Sequence, residues 1–218
     1  LKAITTMAQE RRGIFHNWRP RRVQFVSPQV WASRPGRARE MPRILDRLLS
    51  ILPFEKEWYA RNAPGVRVDF VGHPLVDRHG PPPAPPVTDP GRRPHLVLLP
   101  GSRTGELRRH WPVVAPAARA AVMVQVGGLA RALSDADVAI ASTGTVTLEC
   151  AWFGVPTVAL YRTSWSTYQI GRRIIRVPHL AMPNLLAGQT VMPEFIQDAA
   201  TPEALAGAVL GLLETPGA

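Results

Sequence analysis

The sequence predicts an α/β protein built on an open parallel sheet, and three observations carry that expectation. Short apolar runs rich in β-branched residues recur along the chain, each bounded by turn signals. Helical stretches fall between them, the alternation that produces a parallel sheet. At two places a strand ends in glycine and hydroxyl residues and opens at once into a helix, where such sheets bind ligands.

Taken in order, the strand candidates lie at 23–26, 48–52, 68–71, 96–99, 122–126, 138–141 and 157–161. Continuous apolar runs of this length suit strands buried on both faces. Helices are expected at 105–111, 129–135, 145–153, 166–175 and 202–213. The last has a defined start, with Thr201 as N-cap and Pro202 at the first helical position. Between 79 and 94 the pattern breaks into Pro81-Pro82-Pro83-Ala84-Pro85-Pro86 and then Asp89-Pro90-Gly91, an extended polyproline spacer. The alternative, a ligand for a proline-binding domain, carries less weight than a linker. The expected organisation is therefore a basic leader at 1–22, a first α/β portion at 23–78, the spacer at 79–94, and a second α/β portion at 95–218. That second portion reads as compressed, with few residues between the strands at 122–126 and 138–141.

Composition narrows the function classes. Of 218 residues, 45% are hydrophobic and 19% charged, so a buried core is available and wholesale disorder is excluded. The formal net charge is +10, and only Lys2 and Lys56 among the basic residues are lysine. Residues 1–43 hold ten basic and two acidic side chains, which suggests an anionic partner for the leader, with a solvated tail as the alternative. Nucleic acid is not the expected partner, because beyond Trp18 no aromatic stacking platform alternates with those arginines. The lone Cys150 excludes an internal disulfide or a multi-cysteine zinc site and reads as core. The longest apolar run, 204–213, falls short of the roughly 20 residues of a spanning helix. No apolar segment follows the basic residues at the start, so no secretory signal is expected there. The first residue is Leu1 rather than methionine, which points to a fragment. The chain reads as soluble or peripheral and reduced.

The chemistry concentrates at the two junctions. Leu99-Pro100-Gly101-Ser102-Arg103-Thr104-Gly105-Glu106 runs from a strand through a Gly/Ser loop into a helix. Free amides there, with the helix dipole behind them and the Arg103 guanidinium beside them, suit a phosphate; an ordinary turn capped by Ser102 is the alternative. The second junction, Ser142-Thr143-Gly144-Thr145, offers amides at 143–145, and Gly144 permits close approach. Glu149 follows Thr145 by one turn and could accept ribose hydroxyls; a solvated first-turn glutamate is the alternative. Together the two loops suggest a nucleoside diphosphate site with no acidic cluster for a metal. Arg162 and Asn184 close the candidate set, Asn184 turning its amide either toward a base or sugar or into a local turn. Between them, Trp165, Tyr168, Ile170, Ile174 and Ile175 accompany Arg172, Arg173 and Arg176. This composition suits a membrane interface or a helix packed on the fold with its charges in water.

On these residues the sequence resembles the lipid-A-disaccharide synthase family of GT-B glycosyltransferases. The resemblance runs through Val26-Ser27-Pro28-Gln29-Val30-Trp31-Ala32, Leu52-Pro53-Phe54-Glu55, Phe70-Val71-Gly72-His73-Pro74-Leu75-Val76-Asp77 and Leu99-Pro100-Gly101-Ser102-Arg103. It continues through Ser142-Thr143-Gly144-Thr145, Glu149, Tyr161-Arg162 and 180–188, covering roughly residues 23–198. It implies a GT-B, Rossmann-like donor domain preceded by part of the N-terminal Rossmann domain. The implied reaction transfers 2,3-diacylglucosamine from UDP-2,3-diacylglucosamine to 2,3-diacylglucosamine 1-phosphate, releasing UDP, with no cofactor and no metal. By resemblance Arg103 stabilises the departing diphosphate, catalytically, while Gly101, Ser102, Ser142, Thr143, Gly144, Thr145, Glu149, Arg162 and Asn184 hold the donor. The partners implied are UDP-diacylglucosamine, the lipid acceptor and an anionic membrane surface, at the cytoplasmic face of the inner membrane. Several features depart from the family. A whole N-terminal acceptor domain with its essential aspartate has no counterpart, the segment between 119 and 130 is shorter, and a C-terminal helical tail is missing. Ser33 stands where the family has a second tryptophan. The expectation is a truncated synthase, with an inactive UDP- or lipid-surface-binding remnant as the alternative.

Overall fold

A computed structural model of the chain describes residues 20–84, 91–118 and 125–214. It is an α/β fold with two all-parallel sheets. The chain divides into two compact units, one running up to Arg78 and taking in Ile174–Arg176, the second comprising His79–Arg173 and the residues from Val177 on.

The first unit contains β1 (Val23–Phe25), α1 (Val30–Ser33), a 3₁₀ turn at Pro35–Glu40, α2 (Met41–Ile44), β2 (Arg47–Ser50), α3 (Glu55–Asn62), β3 (Val68–Phe70) and most of α4 (Leu75–His79). Its strands are ordered β1-β2-β3. One face packs Leu48 and Val68 against Ala38, Met41, Leu45, Tyr59 and Ala63. Strand β2 ends at Ser50 rather than at Leu52. The Glu55 carboxylate accepts the Leu52 amide at 3.1 Å, and Pro53 has no N–H to continue a ladder, so the chain turns there. The same carboxylate, buried, accepts the Trp31 indole N–H at 3.0 Å. The Trp31 and Glu55 blocks are thus two halves of one structural contact. Of the basic leader only 20–22 are described, and Arg22 is not a free tail residue. Its guanidinium and amide bond the Asp46 carboxylate and hold that carboxyl below its ordinary range.

The second unit contains β4 (Leu96–Leu99), α5 (Thr104–Ala118), α6 (Leu129–Ser134), β5 (Val138–Ser142), α7 (Thr145–Trp152), β6 (Thr157–Tyr161), most of α8 (Trp165–Ile174), α9 (Met182–Ala187), β7 (Glu194–Ile196) and α10 (Pro202–Glu214). The strand order is β4-β5-β6-β7. Side chains alternate across a strand, and β5 shows it plainly. Val138 and Ile140 pack with Val113, Val114, Leu205 and Val209 of α5 and α10, while Ala139 and Ala141 pack with Leu133, Cys150 and Phe153 on the other face.

Two expectations change here. Of the strand expected at 122–126, residues 122–124 lie outside the described residues. Val126 is 98% exposed, and β4 pairs directly with β5, Leu96 opposite Val138. Helix α5 continues past Trp111 through Pro112 and Pro116. Both prolines are exposed, so the backbone hydrogen bonds they remove lie on the solvent side, while Val113, Val114 and Ala117 keep the inner face packed. Thr201 caps α10 as expected, its hydroxyl accepting the Ala204 amide at 3.1 Å.

Cys150 is fully buried on α7, and burial pushes its thiol up to about 11 from 9. Near pH 8 only about one thiol in a thousand is then the reactive thiolate. A thiol reagent at pH 8 is expected to leave the native chain unlabelled over the interval in which urea-unfolded chain reacts completely. Equal labelling rates for the two would show that α7 does not cover this face of the sheet.

Candidate functional site

The carboxyl ends of β4, β5 and β6 lie side by side, so the loops after them share one end of the second sheet. After β4, Gly101 has φ +111, a conformation that side chains other than glycine rarely adopt. A Cβ there would also stand 2.9 Å from the Cβ of Glu106. Glu106 folds back over the loop because it is the third residue of α5. Its Oε2 lies 3.4 Å from the Arg103 amide nitrogen and its Oε1 3.1 Å from the Arg103 guanidinium. This is one half of a capping box. At the first junction the Arg103 amide is therefore not free. Glu106, not Ser102, caps the helix, and its carboxylate sits at the dipole's positive end. Ser102 is exposed, and the Arg103 side chain, 84% exposed, reaches into solvent beyond this pair.

The junction after β5 is built differently. Ser142 is buried as the last strand residue, and the Thr143 amide is taken by the Leu160 carbonyl at 2.9 Å. Thr143 therefore contributes no amide to a ligand, contrary to expectation. Gly144, at φ 135 and ψ −158, precedes α7 with no side chain capping the helix, and the space over it is open. Thr145 is exposed at the helix start. The Thr147 hydroxyl donates to the Gly144 carbonyl at 2.6 Å and accepts the Met182 amide at 3.4 Å, which fixes the turn from behind. Uncapped amides with the dipole behind them suit an anion.

Glu149 is neither solvated nor in the first turn of α7. It is buried in the second turn, and its Oε1 accepts from His79 Nε2 at 3.3 Å, with Phe153 edge-on to the imidazole. Arg162 leaves β6 with its amide 3.0 Å from His110 Nε2, and its guanidinium bonds the Ala200 carbonyl at 3.4 Å. His110 was not among the expected site residues. It is fully buried on α5, and its Nδ1 lies 2.6 Å from the Pro100 carbonyl. Its signal in the sequence is the helical spacing to Val113 and Val114, three and four residues on, which places it on the buried face of α5.

Asn184 takes the local-turn alternative rather than the ligand-facing one. It faces no cleft. It is fully buried, its amide nitrogen donates to the Met192 carbonyl and to Glu194 Oε1, both at 2.7 Å, and its oxygen accepts the Val191 and Met192 amides at 2.8 and 2.7 Å. Glu194 in turn accepts the Leu180 and Ala181 amides. A side-chain amide has two donors and can fill both with its oxygen also engaged, so Asn184 is a clamp on 180–194. Asn184→Ala removes the partner of the Val191 and Met192 amides and of the Met192 carbonyl, and is expected to lower the free energy of urea unfolding by about 3 kcal/mol. A loss under about 0.5 kcal/mol would return this side chain to the ligand-facing set.

A family model described as lipid-A-disaccharide synthetase matches residues 16–129 and 118–216. The lipid-A-disaccharide synthase of Alkalilimnicola ehrlichii is 38% identical over 88% of this chain and 60% of its own length. That of Geobacter metallireducens is 39% identical over 89% of the chain and 60% of its own length. That of Gluconobacter oxydans is 36% identical over 90% of the chain and 56% of its own length. The chain thus spans about 60% of the length of the curated relatives it matches. The chain belongs to the lipid-A-disaccharide synthetase family, and its two all-parallel sheets agree with that.

Proposed function

We propose that this chain is the donor-nucleotide portion of a lipid-A-disaccharide synthase. The reaction is transfer of 2,3-diacylglucosamine from UDP-2,3-diacylglucosamine to 2,3-diacylglucosamine 1-phosphate, with UDP released. The observation that carries the reading is the uncapped start of α7 at Gly144, set between the loop that presents Arg103 and the loop that begins with Arg162. As the glycosidic bond to the donor breaks, negative charge develops on the diphosphate. Amides at the uncapped start of α7 are fixed in place by the helix and suit that charge, a fixed-dipole arrangement that lowers such a barrier, and the Arg103 guanidinium adds a positive charge from the neighbouring loop. For Arg103 to do so, its guanidinium exchanges the Glu106 carboxylate for a phosphate oxygen, one charge-assisted bond for another. Glu149 follows Thr145 by one turn, a spacing that suits acceptance from a ribose hydroxyl once the carboxylate exchanges its His79 contact for the ligand. The acceptor hydroxyl and the base that takes its proton are assigned to the polypeptide of the relatives that these 218 residues do not span.

Helix α8 supports a peripheral membrane contact. None of its residues is buried, Trp165 and Ile170 are 74% and 60% exposed, and Arg172 and Arg173 occupy its last turn. This favours an interfacial role over packing on the fold. No described helix is long and apolar enough to cross a membrane. The anionic inner leaflet at the cytoplasmic face is the proposed surface.

Arg103→Lys is expected to weaken UDP binding by about 1.5–3 kcal/mol, because an ammonium cannot reproduce the planar fork; calorimetry with circular dichroism as a fold control measures it. Unchanged affinity removes Arg103 from the site. The purified chain is expected to form no disaccharide alone and to form it when the N-terminal portion of a Geobacter relative is supplied. UDP binding without turnover under both conditions favours an inactive remnant. On anionic vesicles, flotation is expected to fall steeply with salt, since each arginine near the surface contributes about 1 kcal/mol. Equal flotation with neutral vesicles would leave the membrane reading unsupported.

A further inference from the structure

We propose that His110 is a positioning residue, a clamp that holds the Pro100–Arg103 loop at a set distance from the Arg162 loop. The proposal rests on the nucleotide reading of that loop cluster and adds the residue that keeps it assembled.

The geometry is specific. Strands β4 and β6 are not neighbours, because β5 lies between them, so no ladder hydrogen bond can fix the exit of one against the exit of the other. His110 supplies the missing connection. Its Nδ1 meets the carbonyl of Pro100, the first residue after β4, at 2.6 Å. Its Nε2 accepts the amide of Arg162, the first residue after β6, at 3.0 Å. A proton on Nδ1 and none on Nε2 serves the Pro100 carbonyl and the Arg162 amide, the two shorter contacts, and leaves the Arg162 carbonyl, 3.2 Å from Nε2, without a donor from the ring; the clamp is assigned that Nδ1–H tautomer. Imidazole suits the task because it carries a donor and an acceptor on opposite sides of one rigid ring.

The clamp is also buried and anchored. His110 is fully buried, on the same face of α5 as Val113 and Val114, which pack into the sheet core. Helix α5 starts at Thr104, directly after the loop that His110 holds, so loop, helix and clamp close one ring of structure. The Arg162 loop is secured from its other side by Gln197, whose oxygen accepts the Thr163 amide at 2.6 Å and whose nitrogen donates to the Thr163 carbonyl at 3.2 Å. With the Arg162 side so fixed, a change at His110 is transmitted to Pro100–Arg103. That loop presents Arg103, and a misplacement of about 1 Å at a charged contact can cost a large factor in binding or rate.

The test uses the 218-residue chain with His110→Phe, which keeps a ring without donor or acceptor, and His110→Gln, which keeps one of each. Val113→Ala, a core neighbour on the same helix, controls for general loosening. UDP affinity is expected to fall about tenfold in His110→Phe, to recover by at least half of that factor on a logarithmic scale in His110→Gln, and to hold within twofold in Val113→Ala. Imidazole nitrogen chemical shifts in the parent chain are expected to report the Nδ1–H tautomer. Amide resonances of Ser102 and Thr163 should both move in His110→Phe. Unchanged UDP affinity in His110→Phe, an equal loss in Val113→Ala, or movement at one of the two amides without the other overturns the clamp. Failure of the parent chain to bind UDP overturns the nucleotide reading instead, and the tautomer and the paired amide shifts still decide whether the clamp exists.

Discussion

The second unit is organised by a single constraint, the burial of β5 on both faces. All five residues of Val138–Ser142 are shut away from water, so the strand can carry no polar chemistry along its length. Polar groups are pushed to its carboxyl end, where the chain must leave the sheet anyway. The small residues Ala139 and Ala141 face Cys150 of α7, and the branched Val138 and Ile140 face α5 and α10. That division fixes where α7 begins, and the start of α7 is where the helix dipole and the uncapped amides meet solvent.

Around that point the polar side chains separate into two populations. His110, Thr147, Asn184, Glu194 and Gln197 bond backbone groups of the loops, Asn184 and Glu194 bonding each other as well. Buried polar groups of this kind have to be satisfied or they destabilise the fold. Arg103, Thr145 and the open side of Gly144 face out. The holding group outnumbers the presenting group, as expected where loops without regular structure must keep a fixed shape.

The sequence made some of this legible and hid the rest for physical reasons. Strands β4 and β6 fall at the expected limits because their apolar runs are bounded by Pro100 and by Pro156, and the start of α10 was readable from Thr201 and Pro202. Strand β7 was not readable. It has three residues, begins with the charged Glu194, and draws its stability from pairing with β6, a contact that local pattern does not report. Helices α1, α2, α4 and α9, each six residues or shorter, and the eight-residue α3 were not expected; in the short ones a 3.6-residue period has little room to show, and α3 carries mostly charged and polar residues. In the site, the glycine-hydroxyl loops announced themselves by composition. Asn184 and His110 did not, since a buried polar residue with internal partners looks the same in sequence as one aimed at a ligand. Only the partners distinguish them.

In the first unit, alternation along β1 puts Gln24 on the Leu48 side and leaves Val23 and Phe25 exposed on the opposite face. Among the described residues β1 is also an edge strand. What interrupts this apolar face is an ion pair, Arg47 Nε to Asp69 Oδ2 at 3.2 Å, with both side chains partly exposed. Such charges act as gatekeepers on a surface that would otherwise adhere to its own kind. Their influence shrinks as ionic strength rises, while apolar attraction does not. For a chain with a formal charge of +10 the consequence runs against ordinary practice. Added salt, the usual remedy for a basic protein that clings to surfaces, weakens the gatekeepers of this sheet.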